Sequence, residues 1–204
     1  MIVIVNYGSG NIRAIANIYE RLQIPHSIAN TPVQLEVAEK IILPGVGAFD
    51  ETISKLDSSG FREVLNEQVL NKKIPVLGVC VGMQILANSS EEGKRPGLGW
   101  INGEVKKIDK EKLTLKPKLP HLGWNAVEAV KPIELFDNID KEKGFYFLHS
   151  YYFECARKED VAATAYYGNE FACVVHHENI YGVQFHPEKS HVNGITLLKN
   201  FATR

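Results

Sequence analysis

A cysteine flanked by glycines is the feature of this sequence best suited to chemistry. Gly78 and Gly82 each lie two residues from Cys80, between an apolar run at residues 76–79 and a predicted helix at 82–88. A strand that turns sharply into a helix displays a nucleophile in this way, because glycines allow the tight turn. Free N–H groups at the helix start favour a thiolate and can bind an oxyanion. The pattern predicts a nucleophile, but a packed cysteine in a glycine-containing turn fits these five residues equally well.

A base for that nucleophile can come from the stretch "YGVQFHPEKS" at residues 181–190. His186 precedes Pro187, which favours an extended backbone, and residues two apart in an extended chain lie on the same side. Glu188 is therefore expected beside the imidazole, where it would orient the ring and stabilise its charged form. Taken alone, the stretch fits a surface histidine beside a solvated glutamate better. Together with Cys80 it favours a nucleophile, a base and an orienting carboxylate.

The composition limits what else the protein can be. The chain has 204 residues, a formal net charge of −1 and 45% hydrophobic residues, which predicts one compact domain over residues 1–204. The near-neutral charge gives no reason to expect a nucleic acid or an anionic membrane as partner. The N-terminal "MIVIVNYGSG" has no basic segment and is too short for a signal or a membrane span, which predicts a cytoplasmic protein. The lysine-rich segment 101–118 is interrupted by acidic residues and predicts a solvated hairpin.

Several weaker patterns point away from metals and cofactors. The three cysteines match no disulfide or zinc spacing, so Cys155 and Cys173 are interpreted as small core residues. The histidines of "HHE" at residues 176–178 would face opposite sides of a strand, which disfavours a metal pair. "GSGNIR" has Arg13 where a dinucleotide-binding loop needs glycine. We therefore expect no metal and no cofactor.

The rest of the sequence predicts the elements that position these residues. Strand and helix patterns alternate in the first ninety residues, and Asn11 is a candidate N-cap for the first helix. The predicted strands are 2–5, 41–43 and 76–79, and the predicted helices are 12–22, 61–71 and 82–88. This alternation favours a parallel sheet with right-handed crossovers.

Short strand patterns dominate the sequence after Gly99. The predicted strands are 103–108, 125–130, 145–147, 162–167, 172–175 and 181–185. A last helix over 193–202 is predicted to direct Ile195, Leu198 and Phe201 toward the core. We therefore predict an α/β fold with a central, mainly parallel sheet and a mixed β extension.

The motifs resemble those of the class I, or triad, glutamine amidotransferases. Their order over most of the chain is similar to that in the glutaminase subunits of imidazole glycerol phosphate synthases, which act in histidine biosynthesis. The matching stretches are "NYGSGN" (6–11), "LPGVGAF" (43–49), "GVCVGMQ" (78–84), "SEEG" (90–93), "PHLGWN" (120–125), "HSYY" (149–152) and "FHPEKS" (185–190). Val81 departs from the leucine usual after the cysteine. The resemblance implies a flavodoxin-like glutaminase domain.

The resemblance also implies a role for each matching residue. Cys80 would attack the carboxamide of L-glutamine, His186 would transfer protons and Glu188 would orient the histidine. Backbone N–H groups of Val81 and of the Gly45-Val46 loop would form the oxyanion hole. The residues expected to hold the substrate are Gln84, Glu92, His149, Ser150 and Tyr151, the last three through their backbone. The residues expected to face a partner are Asn11, Trp124, Tyr146 and Lys189, although Trp124 also fits a core position.

The implied partner is a (β/α)8-barrel cyclase that forms a heterodimer with this chain. The complex would use the ammonia to make imidazole glycerol phosphate and AICAR. The same glutaminase could instead serve another synthase, for example one that aminates a surface sugar. A catalytically silent subunit is a second alternative, against which the intact triad argues. A cysteine peptidase or γ-glutamyl hydrolase on a related sheet is a third.

Overall fold

A mixed β-sheet lies at the centre of the structure, a computed structural model that describes residues 1–114 and 119–204. The strands are β1 (Ile2–Val5), β2 (His26–Ala29), β3 (Lys40–Gly45), β4 (Val76–Cys80), β5 (Ser89–Ser90), β6 (Gly103–Lys107), β7 (His121–Asn125), β8 (Glu128–Ala129), β9 (Phe145–His149), β10 (Tyr151–Cys155), β11 (Val161–Tyr167), β12 (Asn169–His177) and β13 (Ile180–Val183). The α-helices are α1 (Ile12–Arg21), α2 (Phe49–Ser58), α3 (Phe61–Asn66), α4 (Val81–Gln84) and α5 (His191–Thr203). A π-helical turn, Glu67–Asn71, continues α3.

The strand order confirms the predicted fold class. The parallel strands follow the order β2-β1-β3-β4-β13, which is the order of flavodoxin-like sheets. Antiparallel strands extend this sheet through β12, β10 and β6, while β7 and β9 form a separate two-stranded sheet. In the parallel part, Gly45 aligns with Cys80 and Val183 with Val79. Strands β3, β4 and β13 therefore end side by side.

Apolar runs form the buried centre of this sheet. All residues of β1 and β4 are buried, as expected for parallel strands covered on both faces. Helix α1 packs against α5, and α2 packs against α3 and α4. Among the described residues, none of the helices has the length and apolarity that crossing a bilayer would require.

The helix predicted at 82–88 is wrong in extent, because α4 ends at Gln84. The next carbonyl groups bind a distant segment instead of continuing the helix. Leu98 N–H donates to the Ile85 carbonyl at 2.7 Å, and Gly99 N–H donates to the Ala87 carbonyl at 3.0 Å. These tertiary hydrogen bonds override the local helical pattern.

The core face of α5 also differs from the prediction. Leu198 and Phe201 are buried as predicted, but Ile195 is exposed. The buried stripe instead includes Gly194, whose missing side chain lets the Pro187 carbonyl pack against the helix. A buried glycine is invisible to a pattern based on apolar side chains.

The lysine-rich segment does not form the predicted hairpin in its described part. Strand β6 pairs with β10, which lies more than forty residues further along the chain. Lys106 contacts Glu104 and Glu91. Lys116 and Lys118 lie outside the described residues.

Replacing Asn193 with alanine should destabilise the fold, because this buried side chain fastens α5 to a loop. Its Nδ2 donates to the carbonyl groups of Asp140 and Gly144, at 2.8 and 2.9 Å, and its Oδ1 accepts from Asp140 N–H. Losing three such partners should lower the free energy of unfolding by roughly 2 to 3 kcal/mol in urea titrations. Asn71→Ala is the control, since among the described residues its side chain bonds to the exposed Glu67 alone, and the change should cost less than about 0.5 kcal/mol. Equal effects of the two variants would contradict this assignment.

Candidate active site

Three adjacent strand ends bring the predicted site residues together. Cys80 ends β4, Gly45 ends β3, and His186 follows β13 by three residues. These strands are parallel, so the residues meet at the carboxyl edge of the sheet, where α/β folds ordinarily bind ligands. Residues more than a hundred positions apart thereby form one site.

The sharp turn predicted at Cys80 is present. Cys80 has φ 57° and ψ −112°, an unfavourable conformation for a residue with a side chain, at the junction of β4 and α4. Glycines make room for the turn, since a Cβ on Gly82 would overlap the Leu43 carbonyl oxygen and one on Gly78 would lie 2.6 Å from the Gly82 carbonyl oxygen. Gly45 packs equally closely against the Gly82 amide. Close backbone packing therefore fixes the direction of the Cys80 side chain.

His186 and Glu188 form a buried pair next to this cysteine. His186 Nδ1 donates to Glu188 Oε1 at 2.9 Å, and both side chains are less than 5% exposed. Backbone contacts hold the histidine in place, since its N–H donates to the Tyr146 carbonyl and its own carbonyl accepts from Ser190 Oγ. The predicted contact is present, but the extended geometry predicted for residues 186–188 is wrong: His186 is extended, with φ −99° and ψ 97°, whereas Glu188 lies in a 3-10 turn, Pro187–Lys189, which brings the carboxylate back to the imidazole.

The pKa values of this pair move in opposite directions. Burial alone lowers the pKa of His186, but hydrogen bonds and charges from Cys80 and Glu188 outweigh burial and raise it to about 10. Burial raises the pKa of Glu188, yet the hydrogen bond and charge of His186, together with a hydrogen bond from Asn11, lower it below its usual value. The imidazole therefore holds a proton readily between the sulfur and the carboxylate.

A cleft of about 470 Å³ opens above the cysteine. The predicted site residues that line it are Asn11, Val46, Cys80, Val81, Gln84, Glu92, His149, Ser150, Tyr151, His186 and Lys189. Gly45 lies below the floor, packed on Gly82, and Glu188 lies behind His186. Trp124 and Tyr146 are outside the lining.

The Val46 amide does not point freely into this cleft. Val46 N–H donates to Ser9 Oγ at 2.9 Å, and Ser9 Oγ donates to the Val46 carbonyl at the same distance. Ser9 is buried, whereas Val46 is 38% exposed and is followed by Gly47 with φ 97°. One of the two predicted oxyanion donors is therefore bound by a serine that the sequence did not identify.

Gln184 is a second residue that sequence reasoning missed. Gln84 Nε2 donates to the Tyr151 carbonyl at 3.1 Å and to Gln184 Oε1 at 3.0 Å. This arrangement turns the Gln184 amide nitrogen toward Cys80 Sγ, at 3.9 Å. Gln184 lies two residues before His186, and this spacing was the available signal, because alternate residues of an extended segment face one side.

A neutral histidine pair supports the far wall of the cleft. His149 Nδ1 lies 2.8 Å from the Tyr151 carbonyl, which only accepts, so its Nε2 accepts from His121 Nδ1 at 2.9 Å. Burial lowers the pKa of His121 to about 4, and burial together with the charge of His121 lowers that of His149 to about 3. The ring of His149 is thus used for structure, which leaves the backbone of residues 149–151 to face the cleft.

Glu92 is anchored at the opposite side. Its Oε2 accepts from Phe49 N–H, the first amide of α2, at 2.8 Å. The neighbouring loop is held by Asp50, which accepts from the backbone amides of Lys94 and Arg95. A carboxylate is thereby fixed at the rim of the cleft.

An aromatic and basic patch adjoins the cleft. Trp124 is 49% exposed, and its ring centroid lies 6.3 Å from that of Tyr146 and 5.2 Å from that of His191. Lys189 Nζ lies 5.7 Å from the Tyr146 ring centroid. Trp124, Tyr146 and Lys189 therefore form one surface, and Trp124 is not a core residue.

The remaining cysteines and histidines form no metal site in the described parts of the chain. Cys173 is buried, whereas Cys155 is only partly so, and burial raises the pKa of both thiols. His176 contacts the Glu178 carbonyl, while His177 contacts Asp160. The two histidines of "HHE" thus have separate surroundings.

Comparison with known proteins identifies the family. The family model described as glutamine amidotransferase class-I matches residues 3–204. The imidazole glycerol phosphate synthase subunit HisH of Leptospira borgpetersenii is 54% identical over 203 residues, covering 100% of both chains. The protein of the same name from Bdellovibrio bacteriovorus is 54% identical over 202 residues, covering 99% of each chain.

Solved structures show the same fold at low sequence identity. A putative GMP synthase protein from Thermoplasma acidophilum has a TM-score of 0.73 and 20% identity, covering 98% of this chain and 91% of that chain. A further glutamine amidotransferase structure has a TM-score of 0.73 at 18% identity, covering 98% of this chain and 97% of its own. The chain belongs to the class I glutamine amidotransferases and, within them, to the family of imidazole glycerol phosphate synthase HisH subunits.

Proposed function

We propose that this chain hydrolyses L-glutamine to glutamate and ammonia as the glutaminase of an imidazole glycerol phosphate synthase. The observation that carries the proposal is the line of contacts from Cys80 through His186 to Glu188 at the floor of a cleft. A cysteine, a histidine and a carboxylate in this order are the parts of a nucleophile, a base and its orienting group.

The proposed reaction begins with the Cys80 sulfur, which attacks the carboxamide carbon of glutamine. His186 takes the thiol proton and gives it to the departing nitrogen, so that ammonia leaves and a γ-glutamyl thioester remains on Cys80. Water then gives a proton to His186 and attacks the thioester, which releases glutamate and restores the thiol. The Glu188 carboxylate stabilises the charged imidazole during both halves of the reaction.

The polar lining of the cleft supports glutamine as the substrate. Both amide protons of Gln84 are donated within the protein. Its side-chain carbonyl oxygen is therefore the group that can accept from the α-ammonium group of a glutamine substrate. The fixed carboxylate of Glu92 has the charge to bind the same ammonium. Backbone groups of residues 149–151, held by the histidine pair, would orient the rest of the substrate.

Two backbone amides are proposed to stabilise the oxyanion. Val81 N–H is the first amide of α4, where helical N–H groups lack intrahelical acceptors. The second would be Val46 N–H, but Ser9 binds it in this structure. Reorientation of the Gly45-Val46 peptide would complete the site, and one missing oxyanion donor costs roughly a hundred- to a thousandfold in rate. The isolated chain is therefore expected to be slow until a partner and its substrate favour the reoriented peptide.

The partner is proposed to be a cyclase with a (β/α)8 barrel, bound in a heterodimer in the cytoplasm. The full-length similarity to proteins named imidazole glycerol phosphate synthase subunit HisH supports this acceptor over an enzyme that aminates a surface sugar. The surface formed by Trp124, Tyr146 and Lys189, together with Asn11 at the rim, is the proposed contact. The family match over residues 3–204 supports one glutaminase domain.

Cys80→Ser should abolish glutamine-dependent synthesis while leaving synthesis from ammonium salts intact. A serine hydroxyl lacks the easily formed thiolate, but the cyclase reaction itself needs no cysteine from this chain. Both activities should be measured in the complex with the cyclase. Glutamine turnover that survives in this variant would exclude Cys80 as the nucleophile.

Glu188→Gln should slow glutamine hydrolysis less than His186→Ala does. The amide oxygen can still accept from His186 Nδ1 but carries no charge, so kcat should fall, although less than in His186→Ala. Losing the proton carrier should cost about a thousandfold. Steady-state kinetics test this difference, and circular dichroism separates it from misfolding. Equal losses in two folded variants would show that Glu188 does more than orient the ring.

Ser9→Ala should raise the basal glutaminase rate of the isolated chain. The change removes the hydroxyl that binds Val46 N–H, so the peptide turns toward the oxyanion more easily and the rate should rise about tenfold. The stimulation by partner and acceptor substrate should shrink by the same factor. Ser58→Ala, which removes an exposed hydroxyl bonded within α2, is the control. An unchanged basal rate in Ser9→Ala would show that this hydrogen bond does not restrain the enzyme.

A further inference from the structure

A carboxamide outside the Cys80, His186 and Glu188 triad contacts its carboxylate directly. Asn11 Nδ2 donates a 2.6 Å hydrogen bond to Oε1 of Glu188, 177 residues further along the chain. His186 Nδ1 lies 2.9 Å from the same oxygen. The other carboxylate oxygen, Oε2, is buried and has no hydrogen-bond partner among the described residues. Two side-chain donors, both on one oxygen, therefore hold this carboxylate.

The position of Asn11 in its helix makes this contact unexpected. Asn11 is the N-cap residue of α1, and its backbone carbonyl accepts from Ile15 N–H at 3.2 Å. Asparagine is favoured at this position because its side chain can bind the amides of the first turn. Here the side chain makes no such bond and turns to Glu188 instead. The sequence predicted a helix-capping side chain, but the Asn11 carboxamide binds the carboxylate of the candidate active site instead.

We infer that Asn11 is a positioning residue that holds Glu188 Oε1 against His186 Nδ1. Since Oε2 has no partner, loss of the Asn11 bond would leave the bond to His186 as the one side-chain hydrogen bond among the described residues that opposes rotation of the carboxylate. The Glu188 side chain is 2% exposed, so water cannot readily replace a missing donor. The effect on turnover rests on the proposed function, whereas the effect on the His186–Glu188 hydrogen bond does not.

Two substitutions separate positioning from capping. In the isolated chain, where Asn11 has no partner to contact, Asn11→Ala removes the donor and should lower kcat about tenfold, with KM changed less than twofold. Asn11→Asp cannot donate and places a second charge beside Glu188, so kcat should fall further. Aspartate caps helices as well as asparagine does, so a capping role alone predicts a wild-type kcat for Asn11→Asp. Asn30→Ala is the matched control, because Asn30 lines the same outer groove as Asn11 but bonds to Asn6.

The imidazole N–H signal of His186 gives a readout that does not need turnover. In the full chain, NMR should show the Nδ1 proton of His186 as a downfield resonance that exchanges slowly with water. Asn11→Ala should speed this exchange at least tenfold, and Asn30→Ala should leave it unchanged. A wild-type resonance in both Asn11 variants, or a wild-type kcat in Asn11→Asp, would overturn the inference. If the unmodified chain with its partner fails to hydrolyse glutamine while Asn11→Ala still loses the resonance, the proposed function fails and the positioning role stands.

Discussion

The close packing of backbone between β3 and the turn after β4 is the constraint on which the rest of the site depends. Gly82 lies so near the Leu43 carbonyl that no side chain fits between them. This packing holds Cys80 at φ 57° and directs its sulfur out of the sheet. Relaxation of the turn would move the sulfur away from His186, whose position is set by the neighbouring strand β13. The strained residue is thus supported by the most regular part of the fold.

The groups around the sulfur are connected by hydrogen bonds whose directions are fixed. The Tyr151 carbonyl only accepts, and this sets the orientation of the Gln84 amide and, through it, of Gln184. On the other side, His186 is bound to a carboxylate that also accepts from Asn11. These contacts are largely buried, so each is worth more than it would be in water. The cleft therefore presents polar groups in fixed directions to a small polar substrate.

Local patterns in the sequence predicted the parts of the structure that depend on local chemistry. Apolar runs located the parallel strands β1, β3, β4 and β13, and the glycines around Cys80 predicted the turn, but β2 lacks such a run and was missed. The same reasoning failed where contacts with residues distant in the sequence determine the local structure. Helix α4 stops early because the backbone groups of residues 85–88, which follow it, bond to residues 97–103, and α5 buries Gly194 because Pro187 packs on it. The bond between Ser9 and Val46 joins residues 37 positions apart, and no spacing rule reports it.

The central claim is that Cys80 carries the glutamyl group during turnover. The complex should be mixed with glutamine labelled in its carbon chain, quenched in acid within one turnover and digested to peptides. We predict that label remains on the peptide containing Cys80 and is absent from those containing Cys155 and Cys173, where burial raises the thiol pKa. Label on another residue, or turnover at the full rate with no labelled peptide at any quench time, would contradict this claim.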